Sequence, residues 1–299
     1  MKVYISADME GITGLVDAED VQPPGRDYER GRGLMTEDVN AAVRGAYAAG
    51  ASYVLVNDAH GPMRNLLPDL LDPRALLIKG RPKPMGMIEG LTVDFDAVVC
   101  VGFHARAGTL GVLSHSFMGH EIEDIWLDDK LTGEIGLLHA AASTYGVPVA
   151  ALTGDNTACT EATAWDSQIH TYPVKQAKDR FAAQLVPVAE SRSGIEQTVQ
   201  RALTTLPTRP DPARPASARP AAAPALAAEA DSPALSKTVH QLTVRWQSAS
   251  VASHLLAIPG LEKTDDRTIT TQGDMLHLYR LFNLYLRVAT AVTSNPPYC

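Results

Sequence analysis

Four short apolar runs mark the first half of the chain: VYISA (3–7), YVLVN (53–57), AVVCVG (97–102) and VPVAALTG (147–154). Runs of this length without polar alternation predict strands buried on both faces, as in a parallel sheet. Between the first two a helical period takes over. In residues 27–49, Leu34, Val39, Val43, Ala46 and Tyr47 fall roughly on one face, and Gly50 supplies a stop. That is a βαβ unit. Residues 136–145, closed by Gly146, predict a second helix feeding the strand at 147, and residues 155–165 a third. The predicted class is α/β, a three-layer α/β/α arrangement around a mainly parallel sheet.

The pattern changes past residue 206. Residues 207–234 are rich in Pro and Ala with almost no bulky apolar side chains. Such a composition cannot bury enough surface to fold alone, and it reads as a loop or linker. Beyond it, TVHQLTVRW (238–246) alternates like a half-buried strand. GDMLHLYRLFNLYLRVATAV (273–292) predicts an apolar closing helix, too interrupted by polar residues to span a membrane. The expected organisation is a main α/β domain over 1–206, the linker over 207–234, and a smaller α+β part over 235–299 packing on the first. No internal repeat is visible.

Composition narrows the chemistry. With 45% hydrophobic and 20% charged residues in 299, the chain can bury a large core. A formal net charge of -8 argues against a binder of nucleic acid or of anionic membranes. No basic segment leads into an apolar signal region, and no apolar run approaches the ~18 residues of a membrane span. A cytoplasmic location is expected. Cys100, Cys159 and Cys299 are an odd, scattered set, unlike a disulfide framework or a CxxC knuckle. Any metal must find oxygen and nitrogen ligands.

Polar groups gather where the predicted strands end. The first strand runs into Asp8 and Glu10, the second into Asp58 and His60, the third into His104 and Arg106. In an open α/β sheet those carboxyl ends share one edge, where ligands bind. Carboxylates and imidazoles collected there repel or are desolvated at a cost unless a multivalent cation sits among them. Carboxylate plus imidazole suits zinc, with manganese and iron behind it. Each residue alone has a plainer reading as a turn, a cap or a core histidine; the repetition at equivalent strand ends favours the metal. The glycines of GITG (11–14) permit a tight turn that lets both Asp8 and Glu10 face one pocket. Glu134 stands at the start of a predicted helix, where the dipole alone would favour it. Ser114 and His115 are sequence neighbours, a poor arrangement for a nucleophile and its base. His120, Glu121, Glu123 and Asp124 read as a solvated turn.

SADMEGITG, YERGRGLMTEDVNAAV, VLVNDAHGPMRNL, GFHARAG, LGVLSHS and GEIGL, in this order, resemble the zinc-dependent D-aminopeptidases of the M55 peptidase family. The resemblance is dense over residues 1 to about 204 and thin beyond 235, and the Pro/Ala stretch departs from the family pattern. It implies a centre of two zinc ions per subunit in the 1–206 domain. Asp8 would bridge them, with Glu10 and His60 completing one site and His104 and Glu134 the other. His115 would be the catalytic group, as nucleophile or as acid/base. The resemblance also implies a short peptide substrate with a free amino terminus and a homo-oligomer, a ring-shaped decamer enclosing a chamber.

Two metals holding a bridging water and polarising the scissile carbonyl would make attack feasible near neutral pH. The substrate amine then needs an acidic receiver: Glu10, Asp58 or the Asp155–Asn156 pair are the candidates, with Asp155 equally suited to capping the helix after it. Competing readings are the same mechanism on L-residues, a dinuclear metallophosphoesterase, and a non-catalytic chamber-forming scaffold. No early DxH and no GNH[DE] block supports the phosphoesterase, and GITGL lacks the spacing of a dinucleotide-binding fingerprint.

Overall fold

The computed structural model describes residues 1–207 and 238–293, so the predicted linker lies, but for its first residue, outside the described residues. In chain order the strands are β1 (Lys2–Ala7), β2 (Tyr53–Asp58), β3 (Leu76–Ile78), β4 (Ala97–Phe103), β5 (Ile122–Leu127), β6 (Lys130–Thr132), β7 (Val149–Asp155), β8 (His170–Asp179), β9 (Ala182–Leu185), β10 (Val239–Trp246), β11 (Glu262–Lys263) and β12 (Thr268–Asp274). The helices are α1 (Ala18–Val21), α2 (Tyr28–Ala48), α3 (Glu134–Thr144), α4 (Asn156–Trp165), α5 (Val188–Thr204), α6 (Ala249–Leu255) and α7 (Met275–Thr293). None of them is long and apolar enough to cross a membrane.

Two sheets organise these elements. The larger has the order β3-β2-β1-β4-β7-β8-β9, parallel throughout except for β9, which returns antiparallel to β8. The smaller is antiparallel, in the order β11-β12-β10-β5-β6. The α/β class and the mainly parallel sheet are as the sequence predicts.

Side-chain alternation explains why the large sheet is apolar on both faces. Val3, Ile5 and Ala7 of β1, with Val99 and Val101 of β4, enter the layer under α2 and α5. Tyr4, Val98 and Cys100 enter the opposite layer, formed by α3, α4, α7 and the second sheet. Successive residues of a strand point to opposite faces, so a strand covered on both sides must be apolar at every position. On α2, the predicted face is the packed one: Val39, Val43 and Ala46 are fully buried, while Leu34 and Tyr47 are half-buried at its margin. Each fully buried valine contributes about 1.5–3 kcal/mol relative to exposure. The helix stops at Gly50, whose φ of +91° is left-handed.

The second sheet draws strands from both of the expected parts of the chain. Its hairpin β5–β6 comes from residues 122–132, inside the first expected domain, and pairs with β10 from the last part. Glu123 and Asp124, expected in a solvated turn, belong to β5, and Glu123 meets Arg245 and Arg267 at 3.0 and 2.6 Å. Only His120 and Glu121 fall in the turn before the strand. The β8–β9 hairpin and α5 are further elements that the apolar pattern did not predict.

Candidate metal centre

Parallel pairing decides which distant residues meet. Ala7 of β1 lies level with Asp58 of β2 and with Val101 of β4. The chain segments after these three strands therefore leave the sheet at one edge. Asp8 N–H still donates to the Val101 carbonyl, at 2.8 Å, before the chain turns away. The turn needs Gly11: its N–H donates to Gly102 O at 2.8 Å, and a Cβ there would sit 2.0 Å from the Phe103 carbonyl oxygen. No side chain fits, which is why a glycine follows Glu10 directly.

All six residues singled out for the centre come together. Their donor atoms form three overlapping triads, Asp8–Glu10–His60, Asp8–His104–Glu134 and Glu10–His104–His115, with the atoms of each triad within 4.8 Å of one another. His60 Nδ1 lies 3.2 Å from Asp8 Oδ1 and 2.9 Å from Glu10 Oε2. His104 Nε2 lies 3.4 Å from both Asp8 Oδ2 and Glu134 Oε1. His115 Nε2 is 3.9 Å from Glu10 Oε1, and its ring stacks on that of His104 with centroids 4.1 Å apart. Five of the six are buried; His115 is the most open, its side chain 15% exposed.

The main chain sets the orientation of every imidazole. His60 Nε2 is 2.8 Å from the Val21 carbonyl, His104 Nδ1 3.0 Å from that of Ala105, and His115 Nδ1 2.8 Å from that of Leu113. A carbonyl only accepts, so each of these nitrogens carries the proton. The opposite nitrogen of each ring is thereby turned toward the carboxylates. In a neutral ring that nitrogen is a lone pair facing oxygens, a repulsive arrangement unless a proton or a cation lies between them. Backbone carbonyls holding the outer nitrogen of a histidine are the usual support of a metal ligand.

The electrostatics point the same way. Burial, reinforced by Glu10, pushes the Asp8 carboxyl up to about 7. Burial would lower His60 and His104, but Glu10 for the first and Glu134 for the second lift them well above the ordinary imidazole value. Burial would likewise raise Glu10 and Glu134, yet the His60 and His104 charges hold both below the usual carboxylate range. His115 goes the other way: burial, and then the charge of His104, depress it. Asp8 Oδ2 is buried with no hydrogen-bond partner among the described residues. Three carboxylates, three oriented imidazoles and an orphaned oxygen make a donor set that fits divalent zinc.

Glu134 opens α3, whose cap residue Gly133 offers no side chain, and its Oε1 accepts the N–H of Phe117 at 2.6 Å. The Phe117 ring in turn meets Phe282 of α7 edge-on, with centroids 4.8 Å apart.

The three substrate-binding candidates have other tasks. Asp58 accepts the N–H groups of Asn65 and Leu66 and the Asn65 side-chain amide, at 2.6, 2.8 and 2.8 Å, so both its oxygens organise a turn. Asp155 caps α4 through the Ala158 N–H at 2.7 Å and holds Val112 N–H at 2.6 Å with its other oxygen. Asn156 Oδ1 accepts the Ala177 N–H at 2.7 Å. Each of these oxygens thus has a structural task, on main-chain N–H groups or, for Asp58 Oδ1, on the Asn65 side-chain amide, beside the substrate contact expected of it. Ser114 Oγ donates to Thr109 O rather than to His115, in keeping with the discounted serine chemistry. The groups that sequence reasoning missed are the Val21, Ala105 and Leu113 carbonyls and the Phe117 N–H, main-chain atoms that no residue identity announces.

Comparison with known proteins identifies the family. The chain is 42% identical over 199 residues to the D-aminopeptidase of Bacillus subtilis (strain 168), a match covering 66% of this chain and 72% of that protein. Its fold matches the Zn-dependent D-aminopeptidase DppA from Bacillus subtilis, a self-compartmentalizing protease, with a TM-score of 0.84 and 32% identity over 100% of both chains. The family model of the M55 peptidases, D-aminopeptidase by description, matches residues 1–284. With that span covered and a zinc-type donor set at the strand ends, the chain belongs to the M55 family of D-aminopeptidases.

Proposed function

We propose that this peptidase holds two zinc ions and removes the amino-terminal residue of short peptides or amino-acid amides, with a preference for D-residues. The observation that carries the reading is the trio of imidazoles, each anchored on a backbone carbonyl and aimed at buried carboxylates. Asp8, shared by two triads, would belong to both ions; Glu10 and His60 would hold one, His104 and Glu134 the other. Bound zinc supplies Lewis acidity, drawing electrons from the scissile carbonyl and lowering the pKa of a water molecule.

The chain's own contribution is at His115. Its Nδ1 proton is committed to Leu113 O, and its depressed basicity keeps Nε2 unprotonated near neutral pH. Nε2 takes a proton from the attacking water and passes it to the leaving amine, a role that typically contributes ~10²–10⁴-fold. The stereochemical preference is drawn from the D-aminopeptidase activity of these relatives. The self-compartmentalizing structural neighbour supports a homo-oligomer around an enclosed chamber, which we take to be a decamer, about ten times the 32.0 kDa chain mass.

The test is one panel: matched D- and L-aminoacyl amides and short peptides, with chelator, and with zinc restored, alongside light scattering for mass. Release from D-substrates that disappears with chelator and returns with zinc is expected. Turnover of L-substrates alone overturns the stereochemistry, and turnover indifferent to chelator overturns the metal mechanism.

A further inference from the structure

Lys175 of β8 is fully buried, and its ammonium donates to three main-chain carbonyls, those of Glu10 at 2.7 Å, Ile12 at 2.9 Å and Leu15 at 2.5 Å. An ammonium has three donors, and all three are used. Lys175 pairs with no carboxylate among the described residues. A buried charge costs several kcal/mol to desolvate, and an apolar side chain would fill the same space without that cost. What the charge adds is a point toward which three carbonyls of one short turn converge.

That turn begins at a metal ligand. With the Glu10 carbonyl fixed on Lys175, the Glu10 side chain leaves the backbone toward His60 Nδ1, at 2.9 Å. Its neighbour Asp8 is held differently, by its N–H on Val101 O and by its own Oδ1 accepting Met9 N–H at 2.9 Å. Glu134 is held by Phe117 and His104 by Ala105. Lys175 touches none of these. Its leverage falls on one half of the centre.

We propose that Lys175 is a positioning residue for Glu10, setting the metal affinity of the Asp8–Glu10–His60 half while leaving the Asp8–His104–Glu134 half alone. The inference rests on the two-zinc reading above, and its test separates the two. Metal-free protein is titrated with zinc against a chromophoric chelator, giving stoichiometry and both affinities without reference to turnover. Wild-type protein is expected to take two equivalents. Lys175→Met is expected to keep one at wild-type affinity and to weaken the other by about tenfold or more, the scale of supports to metal ligands. Lys175→Arg, which keeps charge and donors, is expected to recover part of the loss. Val174→Ala, a buried change on the same strand outside the centre, is expected to lower the melting temperature and leave both affinities intact.

Two unchanged affinities in Lys175→Met, or equal weakening of both, overturn the proposal. If that variant does not fold, Lys175→Gln is titrated and judged by the same outcomes. A wild-type protein that takes a single equivalent overturns the two-zinc reading itself, and this inference with it.

Discussion

The rings of His104 and His115 lie stacked, 4.1 Å apart and only 9° from parallel, yet they answer to opposite forces. Glu134 lifts the basicity of the first, whereas burial and the charge of the first depress the second. In the proposed function one imidazole holds a cation and the other exchanges a proton. His115→Ala is therefore expected to reduce turnover by ~10²–10⁴-fold with zinc content unchanged. Rates and metal analysis of the same preparation check this. Loss of a zinc equivalent would instead make His115 a ligand.

Zinc uptake should expel protons. In metal-free protein His60 and His104 are raised well above the ordinary imidazole value and Asp8 to about 7, so near neutral pH these groups hold protons that zinc displaces. Because the metal-free form binds more protons, affinity falls as pH falls, by roughly tenfold per pH unit for each proton released. Calorimetry in buffers of different ionisation enthalpy measures the count. A binding heat that does not vary with buffer would refute the assignment.

Asp38 of α2 carries a separable pH effect. Its Oδ2 accepts the Thr13 N–H at 2.9 Å, its buried Oδ1 has no hydrogen-bond partner among the described residues and lies 4.0 Å from Arg192 Nε, and burial pushes its carboxyl up to about 6. The folded value lies above the unfolded one, so the folded state favours the protonated acid. That contribution is complete below pH ~4 and is lost as pH rises through about 6. Above this window the ionised form costs about 2–3 kcal/mol. Asp38→Asn keeps an acceptor for Thr13 and removes the titration. Denaturation is expected to find the variant gaining on wild type at pH 7.5 and losing that advantage at pH 4; a difference independent of pH would count against it.

The candidate metal centre was legible in the sequence because its residues are spaced by topology. Asp8, His60 and His104 each follow an apolar run, and parallel strands buried on both faces announce themselves by such runs. Elements built otherwise were less visible. IEDIWL of β5 and HTYPVKQAKD of β8 mix charge with apolar residues because each lies at a partly exposed place in its sheet, so neither shows a continuous apolar run. For Asp58 and Asp155 the sequence offered both a turn or cap and a substrate contact, because whether a carboxylate faces a substrate or a backbone N–H depends on where the chain returns. For Asp155 the decisive partner, Val112, is 43 residues away.

Phe117 gives α7 a hold on one carboxylate of the candidate centre. Its amide grips Glu134 while its ring leans on Phe282, so one residue joins α7 to the chemistry with no side chain of α7 entering the coordination set. A change in how α7 packs against the Phe117 ring would therefore bear on the residue whose amide holds the Glu134 carboxylate.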